Sequence, residues 1–281
     1  MWALLGITFG AAVVNGALGY GFSSITVPLA LLFLSNRVLN PALVLVEVVL
    51  NAHVIWVNRS AVPLVWRRAL PVLIGLLPGV IAGTLLVTRI SAGPMKLATY
   101  LILLPLILIQ AAGWRRPIRS ERTAGAVFGT GLGVLYSVTT ISGPPLAVVL
   151  NNQGLSKQEF RAALGLIRLT ESSLTAAAYL MAGLFTADSL ALIPSILPGI
   201  LLGVPIGAFL IRRLPAETFR RICMTFDAAI VSFGISRLLR ELQIADSVTA
   251  NSVMLVVSLI NVWLLARFFR SHQLAAKLPN P

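Results

Sequence analysis

Four charged side chains lie inside apolar runs of this sequence: Glu47, Arg168, Glu171 and Asp227. Each would cost roughly 2.5–3.5 kcal/mol or more facing hydrocarbon at mid-bilayer, so each is expected to face a protein interior. Glu47 and Asn51 stand four residues apart and share one helix face, while Arg168, Glu171 and Thr175 share another. Two readings of Arg168 and Glu171 stand. In one, the charges neutralise each other and tie helices together. In the other, Arg168 receives an anion while Glu171 or Glu47 orients it or titrates. A guanidinium suits that work, because its planar fork donates two parallel bonds to sulfonate or carboxylate oxygens. Asp227 is expected to cap or pair locally and stands outside the candidate site.

Hydroxyl groups crowd two places where a helix must break. The apolar run from Tyr136 cannot stay helical through Ile141-Ser142-Gly143-Pro144-Pro145. Two prolines remove two backbone donors, and Gly143 bends freely. Ser137, Thr139, Thr140 and Ser142 lie at the same spot. The opening run, Met1 to Leu34, is interrupted by Gly16, Gly19-Tyr20-Gly21, Ser23-Ser24 and Thr26-Val27-Pro28. It is too long for one span, and two full spans would need about 40 residues, so a broken, re-entrant hairpin is expected. A break inside a bilayer survives only where the freed backbone groups are buried in protein or face water. Such breaks commonly form transporter substrate sites, and the positive N-termini of half-helices attract anions without a charged side chain. The candidate binding residues are therefore Asn15, Ser23, Ser24 and Thr26 from one break, and Thr139, Thr140, Ser142 and Gly143 from the other. Arg168 adds the formal positive charge, and Glu47, Asn51 and Glu171 serve as coupling or orienting groups.

Composition sets the class these elements belong to. Of 281 residues, 57% are apolar and 11% charged, and the mean hydropathy is +0.91. Soluble domains carry about 25% charged residues. The expectation is an all-α, polytopic helical membrane protein. Its net charge of +13 sits in short clusters between apolar runs, such as Trp114-Arg115-Arg116 and Ile211-Arg212-Arg213. That is the footprint of cytoplasmic loops beside anionic lipid, not of a nucleic-acid binder. A single cysteine, Cys223, and two histidines, His53 and His272, give no basis for a metal site, and no cofactor is expected. His53 beside Trp56 reads as interfacial. The first basic residue is Arg37, so a cleavable leader with a charged start is not expected. An intramembrane enzyme is disfavoured: there is no His-Glu-x-x-His, and the serines near the break lack an evident His or Lys partner. A passive scaffold would not need two polar, broken segments.

The spans expected after the first hairpin are 41–58, 69–88 and 94–112, then a broken segment at 124–150, then 158–182, 189–211, 217–238 and 248–270. The halves look alike. Ile25-Thr26-Val27-Pro28 resembles Ile141-Ser142-Gly143-Pro144, and Leu77-Pro78-Gly79 matches Leu197-Pro198-Gly199. This suggests a first repeat over 1–113, a basic cytoplasmic linker over 114–123, a second repeat over 124–240, and an extra span with a short tail over 241–281. If both broken segments return to the side they enter from, Arg59, Arg67, Arg68, Lys157, Arg161, the arginine clusters, Arg267 and Arg270 share one face. The positive-inside rule then places the N-terminus outside and the C-terminus in the cytoplasm, with the repeats inverted. Gly75, Gly79 and Gly83 make a smooth stripe, as do Gly199, Gly203 and Gly207, for close helix packing or for a moving interface between halves.

Ser142-Gly143-Pro144-Pro145 followed by Gly154-Leu155-Ser156-Lys157-Gln158-Glu159-Phe160-Arg161-Ala162 resembles the second-half signature of the sulfite exporter TauE/SafE family. Gly19-Tyr20-Gly21 with Val27-Pro28-Leu29 resembles that family's opening motif. The resemblance implies transport of small sulfur-containing anions such as sulfite, sulfoacetate or related organosulfonates, in a bacterial inner membrane. Phe22-Ser23-Ser24 and Tyr136-Ser137-Val138 stand where the family usually has a richer glycine run. The expected partners are the anionic substrate and the lipid bilayer, with a homo-oligomer as an open option and no nucleic acid. Export driven by membrane potential and import coupled to protons both fit.

Overall fold

The computed structural model describes residues 2–112, 121–151, 153, 155–210 and 216–277. All regular structure among them is helical. In the first half these elements are α1 (Trp2–Leu18), α2 (Phe22–Ala30), α3 (Asn36–Val57), α4 (Val62–Arg89) and α5 (Ala92–Ala112). In the second they are α6 (Glu121–Thr139), α7 (Gly143–Asn151), α8 (Lys157–Met181), the single turn α9 (Ala187–Leu190), α10 (Ile193–Leu210) and α11 (Ala216–Glu241), followed by α12 (Ser247–Lys277). Four helical stretches among the described residues are long and apolar enough to cross a membrane: Asn36–Val57, Arg59–Arg89, Ala187–Leu210 and Ser247–Arg267. Trp2–Leu18, Ala92–Leu108 and Gly125–Thr139 are shorter apolar helices. The basic linker expected at 114–123 falls outside the described residues apart from the start of α6, and so do Arg212 and Arg213.

Both expected breaks are present, and backbone dihedrals explain where they fall. Gly19 and Gly21 hold φ of 83° and 106°, a conformation that a side chain resists, so α1 ends and α2 begins around Tyr20. In the second half Thr140 takes φ 56°, and α6 stops there before α7 starts at Gly143. One sequence expectation needs correction. Ile25 to Pro28 is not the counterpart of the second break, because it lies inside α2. The spacing from Gly19 to Thr140 agrees within one residue with that from Leu77 to Leu197. Proline alone does not end helices in this protein: Pro41, Pro71, Pro78, Pro105, Pro198 and Pro205 all lie within them. α3 accordingly starts at Asn36, earlier than the expected 41, and runs through Pro41.

The glycine stripes fix how the halves meet. A Cβ on Gly75 would stand 2.1 Å from the Ala126 carbonyl oxygen, one on Gly79 2.2 Å from that of Thr130, and one on Gly83 2.8 Å from that of Val134. The numbers rise together, so α4 and α6 run parallel with their backbones in contact. In the same way Gly199, Gly203 and Gly207 lie against Thr8, Ala12 and Val13, and α10 runs parallel to α1. Each stripe thus packs on the broken segment of the opposite half. Packing of this kind supplies helix association where lipid offers no hydrophobic drive.

α3 and α8 are antiparallel, since Gly165 meets Val54 and Ile55 while Gln158 donates to Ser60 Oγ at 2.9 Å. α2 and α7 begin near the middle of these long helices, at Ser23 and Ser142, and lead back to their starts at Asn36 and Lys157. The two hairpins therefore insert from opposite ends of the bundle, and their tips meet inside it.

Candidate functional site

The network at the tips is built on Glu47, at the middle of α3 and fully buried. Its carboxylate accepts three hydrogen bonds. Ser23 Oγ of α2 donates to Oε1 at 2.5 Å, Arg168 Nη2 of α8 donates to the same oxygen at 2.7 Å, and Tyr136 OH of α6 donates to Oε2 at 2.7 Å. The carboxylate thus joins the first broken segment, the second broken segment and two long helices. Arg168 is 3% exposed, so this is a desolvated ion pair rather than a surface one. Sequence spacing had suggested Glu171 as the partner of Arg168. The pair is instead made across α3 and α8, because the antiparallel crossing brings position 47 opposite position 168.

A second cluster forms on Glu171, also fully buried. Ser142 Oγ, at the lip of the second break, donates to Glu171 Oε2. The other oxygen, Oε1, is buried without a hydrogen-bond partner, as are Arg168 Nε, Asn51 Nδ2 and Thr26 Oγ1. Buried polar atoms are nearly always paired, so the unpaired Arg168 Nε and Glu171 Oε1, one turn apart on α8, mark a place where a polar ligand would fit.

Other candidate residues build the breaks rather than face the network. Thr139 Oγ1 donates to Leu135 O at 2.7 Å and accepts the Ile141 N–H at 3.0 Å. Thr140 Oγ1 donates to Thr139 O at 2.7 Å, and Ser24 Oγ to Gly21 O at 3.1 Å. Asn15 is buried on α1, and its carbonyl accepts the Gly19 N–H at 2.7 Å. Gly143 opens α7 with the Tyr20 side chain 3.3 Å from where its Cβ would be, so the two breaks touch there. Arg161 reaches over the first break, with Nη2 3.5 Å from Ala17 O. Asp227 is buried on α11, with Oδ2 lacking a hydrogen-bond partner.

Several supporting residues were not singled out from sequence. Tyr136 is one; a fully buried tyrosine hydroxyl needs a partner, and Glu47 provides it. Tyr179 OH donates to Ser137 O, and Asn40 Nδ2 to Val138 O at 2.7 Å. Asn36 Nδ2 joins Thr99 Oγ1 at 3.1 Å and Val138 O at 3.4 Å. These bonds hold the last turn of α6, whose carbonyls would otherwise be orphaned by the break. The signal available was buried Asn at i,i+4 near the start of α3.

No curated protein and no solved structure matches the chain. The sulfite exporter TauE/SafE family model matches residues 4–233, which takes in both breaks and all of the charged network. On the strength of that match over most of its length, this all-helical membrane chain belongs to the sulfite exporter TauE/SafE family, whose members are transporters of sulfur anions rather than enzymes.

Proposed function

We propose that the protein exports small sulfur-containing anions, sulfite, sulfoacetate or a related organosulfonate, by alternating access driven by membrane potential. The observation that carries this reading is Arg168. Its guanidinium is buried, with Nε unpartnered and Nη2 on Glu47, the carboxylate that also accepts Ser23 at the start of α2. An incoming oxyanion takes the place of Glu47 on the Arg168 fork. Glu47 keeps the Ser23 and Tyr136 hydroxyls it already accepts from. Ser142, Gly143 and Thr26 lie at the same two breaks and complete the candidate set with Asn15, Ser24, Thr139 and Thr140, while Asn51 and Glu171 orient.

In this reading the halves, 1–113 and 124–240, are inverted repeats. The opposite directions of the two hairpins and the exchanged packing of α1 on α10 and α6 on α4 support that. The N-terminus lies outside, the C-terminus and the Arg59, Arg67 and Arg68 end lie in the cytoplasm, and the membrane is a bacterial inner membrane. One charge crossing 100 mV is worth about 2.3 kcal/mol, roughly fifty-fold in concentration, so a monoanion leaves a negative-inside cell without a coupling ion.

Vesicles loaded with sulfite test this. Efflux should rise with an imposed inside-negative potential, and Arg168→Ala should abolish the rise while the protein still inserts. Efflux indifferent to potential overturns the reading. A second reading, proton-coupled import of similar anions, draws on Glu171, a buried carboxyl with one oxygen unpartnered. Flux that follows a pH gradient at zero potential and is lost in Glu171→Gln would select it instead.

A further inference from the structure

A polar cavity lies apart from the Arg168 network, at the end of the bundle where α2 and α11 finish and α5 starts. Its volume is about 470 Å³, and its lining includes Lys96, Tyr100, Gly234, Arg237, Glu241 and the turn at Leu31. The walls are regular. Lys96 and Tyr100 stand at i,i+4 on α5, and Gly234, Arg237 and Glu241 at i, i+3 and i+7 on α11, so each helix presents one face. Gly234 has to be glycine here, because a Cβ would sit 2.5 Å from the Tyr100 ring. The floor is tied to the half-helix of the first break. Tyr100 OH donates to Pro28 O at 2.7 Å and Lys96 Nζ to Leu31 O at 2.9 Å, which answers the free carbonyls at the end of α2.

Those bonds leave donors over. An ammonium has three N–H groups and a guanidinium five. Lys96 spends one on Leu31, and Arg237 spends Nε on Glu241 at 2.5 Å. Two cations against one carboxylate leave the cavity positive, and Arg237 and Glu241 are 45% and 50% exposed, so a solute can reach them.

We propose that this cavity is a second oxyanion site, in which Lys96 and Arg237 hold one oxyanion group with several oxygens on a single sulfur or phosphorus: sulfite, sulfonate or phosphate. Two sources share that chemistry. One is the transported anion pausing at the mouth of its path. The other is the phosphate of an anionic lipid, with its chains over Phe33, which is 52% exposed beside the cavity. Only the first source rests on the transport reading above.

The test uses the full chain in phosphatidylcholine nanodiscs, with equilibrium binding of radiolabelled sulfite and, separately, retention of phosphatidylglycerol by native mass spectrometry. Arg237→Gln should weaken sulfite binding at a salt-sensitive site about ten-fold, the loss of one charge-assisted bond. Glu241→Gln should tighten it several-fold, because the competing carboxylate is gone. That second variant guards against mere misfolding, since damage does not increase affinity. Arg168→Ala should leave this site intact. If phosphatidylglycerol displaces sulfite from it, and Arg237→Gln no longer retains that lipid, the occupant is lipid. If neither site binds sulfite but lipid retention still depends on Arg237, the transport reading fails and this site stands. Binding of both sulfite and phosphatidylglycerol unchanged from wild type in Arg237→Gln and Glu241→Gln overturns the proposal.

Discussion

Replacing Glu47 with glutamine isolates the ion pair at the centre of the molecule. The carboxylate takes one bond each from Ser23, Tyr136 and Arg168, all buried. The amide introduced by Glu47→Gln has one acceptor oxygen for the two hydroxyls and turns an NH2 group to the other, and it leaves the Arg168 charge uncompensated at 3% exposure. Removing one partner of a buried pair costs about 3–5 kcal/mol. Arg168→Gln strands Glu47 and should cost about as much. The double variant Glu47→Gln with Arg168→Gln removes both charges, and two amides can hydrogen-bond across the same gap. It should therefore recover most of the loss, so the coupling energy should exceed the cost of either single change, beyond the usual range of about 0.5–3 kcal/mol for groups in contact. Unfolding in mixed micelles, followed by circular dichroism for all four proteins, measures the cycle. Vesicle efflux on the same samples then separates folding from transport: the double variant should be folded and inactive, because the anion has lost its guanidinium. Additive single effects would refute the physical pairing, and efflux at wild-type rate in the double variant would remove Arg168 from the transport step.

Two further outcomes follow from the packing and the caps. Gly79→Ala places a methyl 2.2 Å from the Thr130 carbonyl oxygen, so α4 and α6 must separate; a loss of about 1–3 kcal/mol by the same unfolding assay is expected, whereas Gly131→Ala, which meets nothing within 4 Å, should be neutral or slightly stabilising. At the start of α12, the Thr249 hydroxyl and the Thr249 and Val248 N–H groups donate to Asp246, and these bonds, the Thr249 hydroxyl foremost, hold its carboxyl below the usual range. A depressed native value means the cap is fully formed above the unfolded value of about 3.9 and is lost as pH falls through the native one. Exchange protection of the Val248 and Thr249 amides should drop in that acid window, and Asp246→Ala should remove the pH dependence.

The membrane class, the two breaks and most of the spans were legible in the sequence, because each rests on local physics. A glycine pair or a proline pair changes the backbone where it stands, and an apolar run of sufficient length has one comfortable solvent. What the sequence did not show was which local interruption counts. Pro28 looked like a breaker, yet it sits inside α2, while the positive φ at Gly19 and Gly21 makes the actual turn. In a buried setting, neighbours can satisfy a carbonyl left free where a helix ends: the Pro28 carbonyl, in the last turn of α2, takes Tyr100 OH. Reversal of the chain has no such substitute, because it needs dihedrals that few residues tolerate. The partner of Arg168 was hidden for a related reason. Helical spacing reports neighbours on one helix, so it offered Glu171; the crossing of α3 and α8 that delivers Glu47 depends on residues more than a hundred positions away.

The two breaks and the ion pair explain one another. A helix interrupted in mid-membrane leaves donors at the start of the half-helix and acceptors at the end of the preceding one. The acceptors of α6 are covered by Asn36, Asn40 and Tyr179, at its last turn. On the donor side, Ser23 and Ser142 extend the starts of α2 and α7 by one hydroxyl each, and each hydroxyl ends on a buried carboxylate. The carboxylates thus stand where an anion would stand if the site were filled from outside. Glu47 alone among them also holds a guanidinium, so an oxyanion competing for Arg168 meets a fork already set to bind a carboxylate's oxygens. That exchange would loosen α3 from α8 at their middle while leaving the glycine-lined contacts of α4 with α6 and of α1 with α10 unchanged, so the predicted moving surface is the α3–α8 crossing rather than the stripes. A first cysteine cross-link, between Val54 and Gly165, which lie in contact at that crossing, should therefore stop efflux. Undiminished efflux with the first link in place would move the hinge elsewhere.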